Sequence, residues 1–346
     1  MAESTQTERK VGVLLTNLGT PDAPTAPALR KYLAEFLWDP RVVEAPRPIW
    51  WLVLNGFILR FRPRKSAEAY AKIWTEEGSP LLSIARRQAQ ALEPRLGEVL
   101  NRDVPVALAM RYGTPSIAQG LEALREAGCR RVLVFPLYPQ YAAATGASTV
   151  DKVGEVLRRW RDMPELRFIR DYHDQPAYLD ALVESIRRHW AEKGRGQLLL
   201  FSFHGIPKKY VQKGDPYPAE CGQTAQAVAR RLGLKREEWK TTFQSRFGPE
   251  RWLKPYTDET LQALPKNGIT SVDLCCPGFS ADCLETLEEN AMTNRDMFLD
   301  AGGEHFSYIP CLNDDPRHID ALARIAAQHL KGWLETAGSR ATDEDR

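Results

Sequence analysis

The feature that most constrains the fold is a series of eight short apolar runs, each separated from the next by sequence with apolar residues at helical spacing. Strands that alternate with helices form parallel sheets covered by helices. We therefore predict an α/β fold of two doubly wound, Rossmann-like domains, each a four-stranded parallel sheet flanked by helices, with the active cleft between them. The predicted strands are residues 11–18, 104–112, 131–138, 166–170, 198–204, 241–245, 271–276 and 305–310.

Chain length supports this division into two domains. A chain of 346 residues exceeds one ordinary core and suits two domains of roughly 150 residues each. The charged, proline-bearing stretch RDMPEL provides a boundary, although no close sequence repeat relates the two halves. We predict an N-terminal domain over residues 8–164, a C-terminal domain over 165–334 and a disordered polar tail over 335–346.

Charge and motif content exclude several classes of protein. A net charge of +2 provides no long-range attraction to nucleic acid. Neither a dinucleotide-binding G-x-G-x-x-G nor a phosphate-binding G-x-x-x-x-G-K-[ST] follows a predicted strand, which argues against an NAD enzyme and an ATPase. The polar start, MAESTQTERK, lacks the apolar centre of a secretory signal, so we predict a cytoplasmic protein.

The six cysteines show no C-x-x-C pair and no zinc-site spacing. In a cytoplasmic protein we expect them to be free thiols packed in the core, without a disulfide framework. Cys275, Cys276 and Cys283 lie close enough in sequence to leave a metal–thiolate site as the weaker alternative.

Residues 48–61, PIWWLVLNGFILRF, are followed by the basic residues of RPRK. The segment is shorter than the roughly 20 apolar residues of a membrane-spanning helix. It is either a buried helix or an exposed apolar lip that docks on a membrane surface or receives an apolar ligand. The aromatic side chains of Trp50, Trp51, Phe57 and Phe61 exceed what one amphipathic helix usually hides, so we favour the lip.

The predicted strand over 198–204 ends abruptly in His204, followed by glycine, isoleucine and proline. Three other predicted strands also end near a glycine and a proline, in NLGTP, RYGTPS and CCPGFS. Open α/β sheets bind their ligands at the carboxyl ends of the strands. His204 is thus either a hydrogen-bonded core histidine or a residue that faces a ligand cleft.

A group of carboxylates follows the strand end CCPGF. Asp282, Glu285 and Glu289 stand at i, i+3 and i+7, so on a helix over 281–301 they would share one face. The alternative is a solvated acidic face. A neutral imidazole beside a carboxylate can accept a proton or bind a divalent cation. With only His204 and Glu285 as ligands, a metal would be held loosely, as a delivery site requires.

Six motifs carry a resemblance to the ferrochelatase family: LLTNLGTP, RYG, FPLYPQYAAATGAS, SFHGIP, TFQSRFGPERWLKPYT and CCPGFSADCLETLEE. They occur in the same order and at similar spacing from about residue 10 to about residue 330. SFHGIP together with the downstream D-x-x-E-T-L-x-E is highly specific, whereas each other motif alone is weak.

The resemblance implies roles for individual residues. His204 and Glu285 are implied to be the catalytic and iron-binding pair. Asp282 and Glu289 are implied to be acidic residues that lead protons away or metal in. The residues implied to contact the porphyrin are Leu18, Arg111, Tyr112 and Trp252, with Trp50 and Trp51 at the mouth of the pocket. Position 18 is implied to face the side of the porphyrin opposite His204, and leucine there excludes ligation of iron from that side.

The activity implied by the resemblance is that of a lyase, the insertion of ferrous iron into protoporphyrin IX with release of two protons to form protohaem, the last step of haem biosynthesis. Iron is then a substrate, and we expect neither a tightly bound cofactor nor an iron–sulfur cluster, since only Cys311 lies beyond residue 300. The partners are protoporphyrin IX, ferrous iron and a membrane surface if the lip docks there; the protein is a monomer or a homodimer. The alternatives are a coproporphyrin chelatase, a cobalt or nickel tetrapyrrole chelatase, and a porphyrin carrier without activity.

Overall fold

The computed structural model describes residues 10–334, so the predicted tail lies outside the described residues. Its eight strands confirm the eight predicted ones, with ends that differ by at most a few residues. They form two four-stranded parallel sheets, ordered β2-β1-β3-β4 and β6-β5-β7-β8, which confirms the predicted fold class. The strands are β1 Val11–Gly19, β2 Val106–Tyr112, β3 Arg131–Pro136, β4 Glu165–Phe168, β5 Leu198–His204, β6 Trp239–Gln244, β7 Ser271–Cys275 and β8 His305–Ile309.

Twelve α-helices and three π-helices connect and cover these strands in the described part of the chain. Several helices begin with proline in the first turn, where its missing N–H costs nothing. The α-helices are α1 Ala26–Trp38, α2 Arg47–Val53, α3 Leu59–Ile73, α4 Pro80–Leu100, α5 Ile117–Glu126, α6 Ser148–Leu157, α7 Pro176–Lys193, α8 Lys208–Gln212, α9 Tyr217–Leu232, α10 Thr257–Ala263, α11 Arg295–Asp300 and α12 Pro316–Leu330. The π-helices are Leu54–Ile58, Ala143–Ala147 and Glu285–Asn294.

The boundary between the halves lies later than the predicted residue 164. β4 begins at Glu165 and pairs with β3, so it belongs to the first sheet. The helix after the last strand of each half then crosses over: α7 packs against β8 and α9, and α12 packs against α4 and β3. This exchange corrects the predicted division and explains why one hydrophobic cluster includes side chains from both sheets, such as Phe135 and Phe201.

The central strands are buried on both faces, as parallel sheets require. Val13, Leu14 and Leu15 of β1 are completely inaccessible, as are Leu200 and Phe201 of β5. Burying each such side chain contributes roughly 1.5–3 kcal/mol. The rigid sheets therefore fix the positions of the residues at their carboxyl ends.

The segment 48–61 forms α2, the π-helix Leu54–Ile58 and the start of α3. Several of its large apolar side chains are more than half exposed. This confirms the prediction that the segment is an exposed lip and not a buried helix. The exposed side chains are Ile49, Trp51, Leu52, Phe57 and Phe61. Within residues 10–334, no helix combines the length and the apolar character needed to cross a membrane.

Candidate active site

His204 ends β5 at the carboxyl edge of the second sheet and is partly exposed. The carbonyl oxygen of Gly205 lies 2.6 Å from its Nδ1. Because a carbonyl accepts, Nδ1 carries the hydrogen, and in the neutral ring Nε2 keeps its lone pair. The partial exposure favours a histidine that faces a ligand over one sealed in the core.

A buried glutamine joins the end of β5 to the acidic helix. Gln244 is the register partner of His204 in β6, and its Nε2 donates to the backbone carbonyl of Glu285 over 2.9 Å. Its Oε1 accepts hydrogen bonds from the Ser202 hydroxyl and the Asn290 amide. The structure therefore brings His204 and the backbone of Glu285 to the same edge of the sheet, where Gln244 is next to both.

The acidic segment is a π-helix, Glu285–Asn294, where the sequence predicts an α-helix. In a π-helix the backbone bonds join residues five apart, and such turns are often found at functional sites. Thr286, Asn290 and Asn294 are buried along it, and the Asn290 amide donates to the Glu285 carbonyl over 3.0 Å. Side-chain amides therefore help to satisfy the first carbonyl of the helix.

Glu289 follows Glu285 on this helix, and Ser245 holds its carboxylate. The backbone N–H of Ser245 donates to Oε1 over 2.8 Å, and the Ser245 hydroxyl donates to Oε2. Burial raises the pKa of Glu289 to about 7; the charge of Glu285 adds to this increase, and the two bonds from Ser245 oppose it. A carboxyl group with this pKa can take up and release protons near neutral pH.

Asp282 does not share a helix face with the two glutamates, which corrects the expectation from the i, i+3, i+7 spacing. Asp282 precedes the helix, and its Oδ1 accepts from the hydroxyls of Tyr308 and Thr286. Its Oδ2 accepts from the Asn313 amide over 2.8 Å. The spacing failed because the chain enters the helix through an irregular turn that is hydrogen-bonded to the end of β8. A role of Asp282 in proton transfer stays a prediction.

The first half places a wall of buried side chains opposite Glu285. Burial, and then the neighbouring Glu285 carboxylate, raise the pKa of Tyr70 well above its usual value. Burial, Tyr70 and Glu285 do the same for the pKa of Tyr32. Lys72 on α3 forms an ion pair with Glu288 of the π-helix, with Nζ and Oε1 2.7 Å apart. The site therefore lies where the two halves meet.

Arg111 and Tyr112, implied to line the pocket, bind partners within the protein. The Arg111 guanidinium pairs with the buried Asp39 carboxylate, and its Nε donates to the Ser148 carbonyl over 3.0 Å. The fully buried Tyr112 donates its hydroxyl to Asp39 over 2.8 Å. Burial raises the pKa of Asp39, but hydrogen bonds led by that of Ser148 outweigh burial and hold it below the usual value. Contact of Arg111 and Tyr112 with substrate stays a prediction.

Trp252 lies beside His204, with ring centroids 6.4 Å apart, and is buried. Its indole N–H donates to the carbonyl of Phe247 over 2.9 Å. Arg62, at the basic end of the lip, lies over the Phe247 ring at 5.3 Å. The loop after β6 therefore reaches from the imidazole to the lip.

Three other side chains implied to contact the porphyrin lie in the first half. Leu18, at the end of β1, is half-buried against the cluster of α1 and α3. Trp50 is half-buried and donates its indole N–H to the Leu37 carbonyl over 2.7 Å, whereas Trp51 is 53% exposed. Trp51 is therefore the more accessible of the two tryptophans to an apolar partner.

Other candidate metal ligands in the described residues lack the features of a site. All six cysteines are free and buried, and burial raises the pKa of Cys276 and Cys283 well above the usual value, which disfavours the thiolate form a metal needs. Asp171, His173 and Asp174 lie together, but Arg170 forms an ion pair with Asp171. Asp171 therefore already has a cationic partner.

Sequence reasoning missed the residues that hold the site together. Gln244 and Ser245 lie in the motif TFQSRF at a predicted strand end, so their position was a usable signal. The four-residue spacing of Thr286, Asn290 and Asn294 was another. Asp39 offered no signal, because its partners are distant in sequence and meet it only in the folded chain.

Comparison with known proteins identifies close relatives. The model of the family described as Ferrochelatase matches residues 10–330. The chain is 61% identical over 325 residues to a ferrochelatase of Thioalkalivibrio sulfidiphilus, which covers 94% of this chain and 88% of that protein. It is 57% identical over 324 residues to a ferrochelatase of Marinobacter nauticus, with the same two coverages.

Solved structures of low identity share the fold. SirB from Bacillus subtilis with Fe3+ matches with a TM-score of 0.53 and 13% identity, over 92% of this chain and 95% of that one. DR2241 from Deinococcus radiodurans, described as similar to chelatases, matches with a TM-score of 0.56 and 12% identity, over 94% of this chain and 56% of that one. At these identities the likeness concerns the architecture of the two sheets alone.

Proposed function

The chain belongs to the ferrochelatase family and is an enzyme that inserts iron into a porphyrin for haem synthesis, and we propose that its porphyrin is protoporphyrin IX and that His204 and Glu285 carry the reaction. The observation that supports this assignment of residues is the placement of the His204 imidazole, the backbone of Glu285 and the carboxylate of Glu289 at one edge of the second sheet. The first half faces them with apolar and aromatic side chains.

The proton balance defines what these residues do. A porphyrin carries two N–H protons at its centre, and a divalent ion that replaces them leaves the charge of the ring unchanged. His204 Nε2 accepts a pyrrole proton as the N–H bond breaks, and the imidazolium is stabilised by the neighbouring carboxylates. Glu289, with a pKa of about 7, passes the proton onward. The second proton follows the same route, and iron binds the four ring nitrogens without electron transfer.

Binding of the porphyrin ring must also make its pyrrole protons accessible to the base. In a flat porphyrin the pyrrole protons lie in the plane, where a base reaches them poorly. A cleft that grips the ring can tilt a pyrrole nitrogen out of the plane, with the strain drawn from contacts elsewhere on the ligand. Trp252 beside His204 and the wall of the first half are suited to such contacts.

The choice of protoporphyrin IX over coproporphyrin rests on the lip. Coproporphyrin has more carboxylates and would need more cationic partners, whereas the lip offers exposed aromatic and aliphatic side chains, including Trp51 and Phe57. The Arg111 charge is already balanced by Asp39, which leaves less positive charge for extra carboxylates.

An anaerobic spectroscopic assay with ferrous iron and each porphyrin tests the proposal. We expect insertion into protoporphyrin IX to exceed insertion into coproporphyrin. The variants His204→Ala and Glu285→Gln should still bind protoporphyrin but insert iron roughly 10²–10⁴ times more slowly. A carrier would bind porphyrin without product in any variant, and faster turnover with cobalt or nickel would identify a different chelatase.

The lip also supports a proposal of peripheral membrane contact. Its exposed apolar residues lie next to Arg60, Arg62 and Arg64, a combination that suits the surface of an anionic bilayer. The double variant Phe57→Ser/Phe61→Ser should lose binding to vesicles that contain phosphatidylglycerol while its basic residues remain. Equal binding of the variant and the native chain would exclude the lip as the contact.

A further inference from the structure

The end of β6 contains a backbone conformation that requires an explanation. Ser245 directly follows the strand and has φ of +66°, the left-handed region that non-glycine residues seldom adopt. Such conformations are found where surrounding structure enforces them, commonly at functional sites. At Ser245 this conformation directs the backbone N–H and the hydroxyl to the two carboxylate oxygens of Glu289.

The preceding residue holds the same helix at a second point. Gln244 is buried, and its amide donates to the Glu285 carbonyl over 2.9 Å. Its backbone carbonyl accepts from the N–H of Gly205, the residue after His204, over 2.8 Å. Two consecutive residues therefore connect the strand that carries the imidazole to Glu285 and Glu289 of the π-helix.

We propose that Gln244 and Ser245 are positioning residues that hold the backbone of Glu285 and the carboxylate of Glu289 at a fixed place relative to His204. Neither residue needs to touch substrate. Gln244 sets where Glu285 stands beside the imidazole, and Ser245 keeps Glu289 oriented and favours its ionised form. This inference rests on the proposed proton route, since it explains how that route is kept in place.

The charges around Glu289 make the Ser245 hydroxyl important. Burial and the charges of Glu285 and Asp258 favour the protonated carboxyl, and the hydrogen bonds from Ser245 are the opposing interactions. Hydrogen bonds to a charged group are stronger than neutral ones. Removal of the hydroxyl should therefore leave Glu289 protonated up to a higher pH, so that it no longer accepts protons under neutral conditions.

The decisive variant is Ser245→Gly, because glycine adopts positive φ freely and so removes the hydroxyl while keeping the backbone N–H in place. We expect the acidic limb of the pH profile for iron insertion to move upward by roughly one pH unit. Glu289→Gln should abolish that limb. Asn101→Gly, at φ of +50° after α4 and remote from the site, serves as the matched control and should leave the profile unchanged.

A readout independent of turnover accompanies the assay. Infrared titration of the carboxyl band that disappears in Glu289→Gln should show the same upward shift in Ser245→Gly. A lower rate with an unmoved limb and an unmoved carboxyl band would overturn the inference, as would a limb that persists in Glu289→Gln. If the native chain inserts no iron into any porphyrin, the proposed function fails, while the infrared titration still decides the role of Ser245.

The role of Gln244 has its own test. Gln244→Glu keeps the shape of the side chain but removes the donor to the Glu285 carbonyl. We expect kcat to fall at least tenfold with little change in KM for the porphyrin, because the variant displaces Glu285 and leaves the ring contacts intact. A proportional rise in KM with kcat preserved would contradict the positioning role.

Discussion

The central strand of each sheet ends in a comparable sequence: β1 runs into Leu18, glycine, threonine and proline, and β5 into His204, glycine, isoleucine and proline. The two strands occupy the same place in the same strand order. Leucine in the first half thus corresponds to the imidazole of the second. The same architecture therefore ends in an apolar side chain in the first half and in an imidazole in the second.

The neighbouring strands extend this correspondence. The N–H of Met110 in β2 donates to the Pro115 carbonyl over 2.6 Å, and that of Phe243 in β6 donates to the Pro255 carbonyl over 2.8 Å. The bonded residues are five positions apart in the first half and twelve in the second. The longer loop of the second half is the one that contains Ser245 and the residues beside His204.

The helices after the third strand of each half also correspond, and here the chemistry diverges. Each begins as a π-helix, Ala143–Ala147 in the first half and Glu285–Asn294 in the second. In the first half Arg111 binds Ser148 just after the π-helix, and Asp39 balances the charge. In the second half Gln244 takes the corresponding place and leaves the glutamates without a cationic partner on β6. We infer that the polar groups at this strand end bind one another in the first half, whereas Gln244 and Ser245 in the second half hold the glutamates of the π-helix.

The largest effect should come from making the two central strands alike. His204→Leu gives β5 the same residue as β1, removes the proposed base, and should lower iron insertion roughly 10²–10⁴-fold. Stability should change little, since the imidazole is partly exposed. Activity is measured anaerobically and stability by urea denaturation.

The matched control is His305→Leu, a histidine at the exposed start of β8 on the opposite edge of the same sheet. It should keep full activity. Equal losses in both variants would mean that the effect arises from the sheet rather than from the strand end.

The second prediction concerns stability in the first half. Asp39→Asn leaves the buried guanidinium of Arg111 without its counter-charge, and removal of one partner of a buried pair costs about 3–5 kcal/mol. Asp151→Asn, which breaks an exposed pair with Arg41, should change stability little. Equal stability of the two variants in urea would refute a structural role for the pair of Arg111 and Asp39 at the end of β2.

The third prediction uses the pKa of Glu289. Because that pKa is about 7 in the folded chain against 4.5 ordinarily, the folded state binds more protons between these values, so stability falls as pH rises through them. The free energy of unfolding that is lost over this pH range is about 3 kcal/mol. Glu289→Gln should therefore gain relative stability between pH 4.5 and pH 8, measured by urea denaturation.

The control for this charge removal is Glu122→Gln, on the exposed side of α5 in the first half. The stability of Glu122→Gln should depend on pH in the same way as that of the native chain. A native chain whose stability does not decline relative to Glu289→Gln would show that Glu289 is ionised at little cost.

The sequence predicted the architecture because apolar runs and helical periodicity record burial directly. It placed all eight strands, the strand end at which His204 lies and the helical segment that carries Glu285. It misplaced Asp282 because an irregular turn and a π-helix break the 3.6-residue period on which the face assignment relied. It missed Asp39 because a buried ion pair depends on contacts between distant segments, and it did not reveal the exchange of α7 and α12 since topology between halves leaves no local pattern.

The smallest predicted effect concerns the helices that follow β2 and β6. In the first half Ser116 caps α5, and its side chain and that of Gln119 satisfy each other's backbone N–H groups. In the second half α10 begins after Tyr256 without a side-chain cap. Ser116→Ala should cost about 1 kcal/mol, measured by urea denaturation.

Ser116→Asp keeps an acceptor at the cap and should restore most of that stability, whereas equal losses in both variants would indicate that packing rather than capping matters there. The difference between the two helices follows from their loops. The short loop of the first half lets the chain adopt a regular cap directly after the proline. The longer loop of the second half instead contains Ser245, which donates to Glu289, and Trp252, which lies beside His204, and the helix after it begins without a side-chain cap.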